Sequence, residues 1–238
     1  MFNLELLQAI NDWQRGGDSK QKTKRAKTLK IKAQDLPIKF KQVKNDSYRQ
    51  LALDKKSVWQ VGTIYKLDET ISAWTEDINV AKNFKGGVPP EGWQGVIFKI
   101  KPDNGEIILN LNTLFNEPEF QKAIALNKNN IIGYHKGIGK YKNTQKEVII
   151  ETDSLPIGSI YAWSGYSSSE DKIAEMFYGR KPTKGELNQF KKRLKHCNAT
   201  LGPRWLTNPE AVLNASTFLK LNAKRLAKIK NLQEKVEK

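Results

Sequence analysis

Three short segments of this 238-residue chain carry side chains suited to work on a phosphate-bearing sugar: SYRQL around Arg49, ISAWTEDINVAKNF over 71–84 and TQKEVII over 144–150. A guanidinium such as that of Arg49 presents a planar fork of donors that matches phosphate oxygens. A carboxylate such as Glu147 can hold a sugar hydroxyl and oppose positive charge developing at an anomeric carbon, as carboxylates do in glycoside hydrolysis. Ser72 and Thr75 offer hydroxyls to a ribose. Gln145, two residues before Glu147, is a neutral amide able to bond an amide or a nucleobase edge without imposing charge. Each segment is commonplace alone; the signal is their combination, in this order and at this spacing.

The elements that must position these residues are legible as patterns. Between residues 46 and 163 the runs SVWQVGTIY, GVIFKI, EIILNL, KEVIIE and GSIYAW, separated by Gly, Pro and Asn, predict strands, while INVAKNF and PEFQKAIALN predict helices, so this core is α+β. Before it, Leu4, Leu6, Leu7, Ile10 and Trp13 fall near helical spacing and Gly16 with Gly17 supplies a stop. Residues 18–32 carry seven basic side chains against one acid and read as a flexible linker or, preferably, an arm that follows a phosphate backbone. Residues 137–140, Gly-Ile-Gly-Lys, read as a turn. Beyond Gly165 the pattern predicts helices over 169–177, over 184–196 and from Pro209 to the end, the last capped by Asn208. Its Lys220, Lys224, Arg225 and Lys228 face suits RNA or plain solvation equally. The expected organisation is an N-terminal helix and basic arm (1–45), a catalytic core (46–163) and a basic helical extension (164–238).

Forty-one Lys and Arg against 25 Asp and Glu leave a formal charge of +16, which favours an anionic partner, nucleic acid first. One cysteine, Cys197, excludes an internal disulfide, and His135 and His196 are too few for ordinary zinc sites, so no metal is expected. No stretch approaches the ~18 apolar residues of a membrane span. The reading is a cytoplasmic protein with no membrane partner.

Taken together, the three segments resemble the ADP-ribosyltransferase superfamily of the Arg/Ser/Glu type, over roughly residues 46–163. Tyr48 and Arg49 match its aromatic-Arg first strand, Ser72 to Thr75 with Ala81 and Phe84 match its Ser strand and following helix, and Gln145 with Glu147 matches its catalytic-Glu motif. The Ser segment departs from the common Ser-Thr-Ser form, because Ala73 and Trp74 separate Ser72 from Thr75, and either hydroxyl can be the working one. The resemblance implies a split β-sandwich core with a helical C-terminal extension, and NAD as co-substrate without a metal. Glu147 would act beneath the nicotinamide ribose and Arg49 on the phosphates. Ser72 or Thr75 would lie near the ribose and fix Glu147, with Trp74 or Phe84 lining the nicotinamide pocket. Gln145 and Tyr141 would face the acceptor, Tyr141 by stacking on a base. A Gln at position 145 disfavours arginine as acceptor. With the charge, this implies a nucleobase of single-stranded RNA before DNA, with a protein acceptor or an inactive nucleic-acid-binding module as alternatives. Such enzymes commonly serve as toxins restrained by a protein antitoxin or in phage defence.

Overall fold

In a computed structural model the described residues are 1–54, 64–87, 89–90, 93–103, 105–164, 170–196 and 205–236. They are α+β with a mostly antiparallel sheet. Two compact units share the chain: unit 1 comprises residues 1–49, 65–80 and 99–155, and unit 2 comprises 50–64, 81–98 and 156–238.

Unit 1 begins with helix α1, Leu4–Gln14, whose first turn is capped by Asn3 accepting from the Leu6 amide at 3.0 Å. Its Leu6, Leu7, Ala9 and Ile10 are buried, and Gly16, at φ 66°, takes the left-handed conformation that ends it. The basic stretch that sequence reads as an arm or linker is instead helix α2, Ser19–Lys32. Asp18 caps it by accepting from the Gln21 amide at 2.8 Å, and Ala26 and Leu29 are buried on its inner side. The pattern conceals this helix because only those two apolar residues mark its face. The acids that neutralise its lysines, Glu5, Glu69 and Glu151, come from outside the stretch.

The unit 1 strands are β1 (Ser47–Leu53, entering through Ser47 to Arg49), β3 (Ile71–Thr75), β5 (Ile107–Asn110) and β6 (Glu147–Glu151), in the order β5-β6-β3-β1. β2 (Ile64–Lys66) and β7 (Ser154–Pro156) pair separately. Of the run SVWQVGTIY, residues 57–63 lie outside the described residues. One core joins Leu6, Leu7 and Ile10 of α1 and Leu29 of α2 to Leu109 and Ile149 of the sheet. Phe2, Phe40, Phe115 and Phe120 meet edge to face within it at 5.3 to 5.8 Å. Helices α3 (Ile78–Asn83) and α5 (Pro118–Asn127) follow the patterns read from sequence, whereas α4 (Leu111–Phe115), which no pattern marked, extends straight from the EIILNL strand once Asn110 caps it.

Residues 137–140 correct a second expectation. They open a one-turn helix, α6 (Ile138–Tyr141), rather than a plain turn, because Asn11 of α1 accepts from the Ile138 amide at 3.0 Å and Ile138 enters the core. Asn11 is fully buried and also donates to Ile132 O at 3.0 Å. A Cβ on Gly137 would stand 2.3 Å from Asn11 O, so this close approach requires glycine. Asn11→Ala leaves the buried Ile138 amide without its acceptor, whereas Ile132 O keeps the bond donated by Gln8 Nε2 at 3.2 Å. We expect a loss of about 1–3 kcal/mol, read as a lower urea midpoint, from that one buried amide.

Unit 2 holds β4 (Gln94–Ile100), β8 (Ile160–Ser164) and β9 (Trp205–Leu206) in that order, all antiparallel. Helix α7 (Glu170–Tyr178) meets α8 (Lys184–His196) through Phe177, Tyr178 and Phe190. Thr183 and Glu186 form a reciprocal capping box at the α8 start. Helix α9 (Pro209–Val236) has the Asn208 cap expected of it and is held to β8 by Trp163 Nε1 donating to Ser216 Oγ at 3.1 Å. Ser169 and Cys197 lie outside the described residues.

Candidate functional site

The strands carrying the three sequence segments are neighbours in unit 1, in the order β6-β3-β1. Thr75 lies directly opposite Glu147 on one side and Tyr48 on the other. Tyr48, Thr75 and Glu147 therefore form a row across three strands whose segments are separated by some 25 and 70 residues in the chain. Side chains of directly opposed residues share a face, and successive residues alternate faces. With Ile71 to Thr75 in continuous register with Glu147 to Glu151, Thr75 shares the Glu147 face, whereas Ser72 and Trp74 point to the other side.

That alternation separates the two hydroxyls that sequence left open. Ser72 is 1% exposed and accepts from Trp74 Nε1 at 3.0 Å, a closed pair buried on the face away from Glu147. Ser72 therefore does not fix Glu147, and Trp74 serves as a packing residue. Thr75 donates to Gln145 O at 2.7 Å and accepts from the Asp77 amide at 3.1 Å, holding the segment that leads into Glu147. The missing Ser-Thr-Ser spacing thus has a physical consequence: the three-residue step from Ser72 to Thr75 puts them on opposite faces.

Glu147 is 5% exposed. Trp13 of α1 donates its indole N–H to Glu147 Oε1 at 2.6 Å, and Gln14 also reaches the carboxylate. Burial pushes the Glu147 carboxyl up to about 7, while the Trp13 and Gln14 hydrogen bonds pull the other way. A group poised there changes charge near neutrality. Gln14 Nε2 also donates to Lys142 O at 3.2 Å.

Arg49 sits in a different cluster. Its Nη2 lies 3.4 Å from Glu69 Oε2, and Lys22 holds the other oxygen of Glu69 at 3.0 Å. Burial lowers the guanidinium's affinity for its proton and Glu69 restores part of it, and the group stays charged. Arg49 Nη1 is buried and has no hydrogen-bond partner among the described residues. A buried charged donor without an acceptor is costly, and an anion there would satisfy it.

The Gln145 segment is bracketed by two non-glycine residues at positive φ, Lys142 at 45° and Lys146 at 43°. Lys146 is held there by Glu76 N donating to Lys146 O at 3.1 Å and by an ion pair to Asp77 at 2.8 Å. Such strain persists only where surroundings over-determine it. Tyr141 ends α6 with Lys140 Nζ 4.9 Å from its ring centre. Beside this segment lies a cavity of about 530 Å³ bordered by Lys44, Asp46, Tyr48, Asp77, Lys101 and Lys146. Glu76 also borders it, its carboxylate accepting from Asn112 Nδ2 at 2.8 Å, so the lining carries three cations, Lys44, Lys101 and Lys146, against three carboxylates, Asp46, Glu76 and Asp77. Phe84, expected in a nicotinamide pocket, belongs to unit 2 and is 43% exposed.

Sequence reasoning missed Trp13 and Gln14. Trp13 reads as one more apolar residue of an amphipathic helix, and only the fold carries it 134 positions along the chain to Glu147. Among the described residues no helix is long and apolar enough to cross a membrane. In comparisons with protein families, curated proteins and solved structures, the chain matches none.

Proposed function

We propose that this chain is an NAD-dependent ADP-ribosyltransferase, built on the split β-sandwich of that superfamily, that modifies a nucleobase of single-stranded RNA in the cytoplasm. The observation that supports this reading is the adjacency of β6, β3 and β1, with Tyr48, Thr75 and Glu147 aligned across them. Segments chosen for their chemistry had no reason to become neighbours if each were an accident of composition.

In this reading the bond between nicotinamide and ribose breaks, nicotinamide leaves with the bonding electrons, and an acceptor amine attacks the anomeric carbon and gives up a proton. Glu147, as carboxylate, opposes the positive charge on the sugar. Thr75 takes the hydroxyl role. The resemblance assigns the pyrophosphate to Arg49, although alternation along β1 turns Arg49 to the face opposite the row of Tyr48, Thr75 and Glu147. Gln145 and Tyr141 meet the acceptor base, which a free strand presents at least unstacking cost. A toxin role restrained by a protein antitoxin follows from the same resemblance.

The test is transfer of label from NAD to purified RNA, single-stranded DNA and cell protein, with wild type and Glu147→Ala in parallel. Glu147-dependent label lost on ribonuclease digestion is the expected result. Label that stays with protein after nuclease treatment moves the acceptor to protein. Absence of both label and nicotinamide release sinks the transferase reading.

A further inference from the structure

Helix α2 divides its basic residues into two sets. Lys22, Lys30 and Lys32 are paired to Glu69, Glu151 and Glu5, all within unit 1. Those pairs, with buried Ala26 and Leu29, fix the helix in place. Lys20, Lys24, Arg25 and Lys27 have no acidic partner among the described residues. Lys20, Lys24 and Lys27 are exposed and follow one another at i, i+4 and i+7, which sets them along one side of the helix over about 10 Å. With Thr23 and Thr28 they border a shallow groove of about 480 Å³. The helix contains no acid of its own, and Asp18 is engaged in capping.

We propose that this side of α2, Lys20, Lys24 and Lys27 with the Thr28 hydroxyl, is the docking surface for the phosphate backbone of a single-stranded RNA. Cations at regular intervals on a rigid rod match a chain of evenly spaced phosphates, and pre-ordering the helix removes the entropy cost that a flexible basic arm would pay on binding. The Thr28 hydroxyl beside Lys27 adds a donor to phosphate oxygens, whereas the Thr23 hydroxyl donates to Ser19 O at 3.0 Å. A membrane surface fits poorly, because an interfacial helix turns an apolar face outward. Here Ala26 and Leu29 face inward and Ile31 is the large apolar residue exposed, at 65%. The proposal deepens the RNA acceptor of the proposed function, but its test needs no catalysis.

The experiment measures binding of a fluorescein-labelled 20-nucleotide RNA by anisotropy across a potassium chloride series, without NAD. It compares wild type, the triple variant Lys20→Gln/Lys24→Gln/Lys27→Gln and a charge-matched triple variant at exposed Lys66, Lys128 and Lys136. The α2 variant should lower the slope of log affinity against log salt by about 2 and weaken binding roughly 100-fold at 0.1 M salt, since each lost single-strand phosphate contact removes about 0.7 from the slope. The charge-matched variant should stay near wild type. Equal losses in both variants, no loss in the α2 variant, or equally tight binding of wild type to phosphatidylserine vesicles would each overturn the proposal. An unchanged thermal midpoint shows that the α2 variant folds, as expected for side chains without partners. NAD cleavage without RNA, read separately by nicotinamide release, distinguishes failure of this surface from failure of the transferase reading.

Discussion

Glu147→Gln should lower nicotinamide release and label transfer by about 10³-fold, the scale expected when one preorganised electrostatic group is lost from a charged transition state, while leaving the protein folded and its pH response altered. Gln keeps an oxygen to accept from Trp13 and nearly the same volume, so the row of Tyr48, Thr75 and residue 147 keeps its packing. What disappears is the negative charge. The same substitution has a stability signature. The Glu147 carboxyl, ordinarily near 4.5, is raised to about 7 in the fold by burial. The folded state thus holds the proton more tightly than the unfolded chain. This contribution to stability is fully present below about pH 4.5 and is lost as pH rises through about 7. At 1.36 kcal/mol per unit, the loss is on the order of 3 kcal/mol. Glu147→Gln has no proton to lose, so its thermal midpoint should fall less than wild type's between pH 5 and pH 8. Parallel midpoint curves for the two proteins would show that Glu147 does not titrate in this window. Undiminished nicotinamide release by the variant would remove Glu147 from the chemistry.

Trp13→Phe should produce the second large effect, without touching any residue that sequence singles out for chemistry. The indole N–H is the 2.6 Å donor to Glu147 and the larger of the two hydrogen-bond influences that lower its pKa. Removing it raises the Glu147 pKa further, so a smaller fraction is ionised at pH 7. A hydrogen bond to a charged group contributes about 1.5–3 kcal/mol, which corresponds to roughly a ten- to hundredfold fall in rate at neutral pH. The acid limb of the pH–rate profile should move to higher pH, and activity should recover in part on the alkaline side. A merely structural role for Trp13 predicts otherwise: a lower thermal midpoint, an unshifted profile and no alkaline recovery. In the proposed transferase Trp13 would be a positioning residue acting through Glu147; α1, which carries it, is held by Leu6, Leu7 and Ile10 in the core.

Local pattern determined a good deal of this protein. Apolar runs mark β4, β5, β6 and β8 because strands covered on both faces need apolar side chains almost throughout. Asn208 marks a helix start because unpaired amides there need nearby acceptors. The three segments of the candidate site were legible because their side-chain types suit phosphates, sugars and developing charge. The tertiary structure decided the rest, and in each case the deciding partner is remote in the chain. Residues 18–32 are a helix whose Ala26 and Leu29 pack into the core and whose Lys22, Lys30 and Lys32 pair with Glu69, Glu151 and Glu5, all remote from the stretch. Residues 138–141 are helical because Asn11 satisfies the Ile138 amide. Thr75 rather than Ser72 shares the Glu147 face because pairing register, which no single segment contains, sets which residues stand opposite one another. The proton affinity of Glu147 belongs to the same class: a carboxylate in a sequence is ordinary, and only the helix folded over it removes its water and supplies Trp13 in exchange.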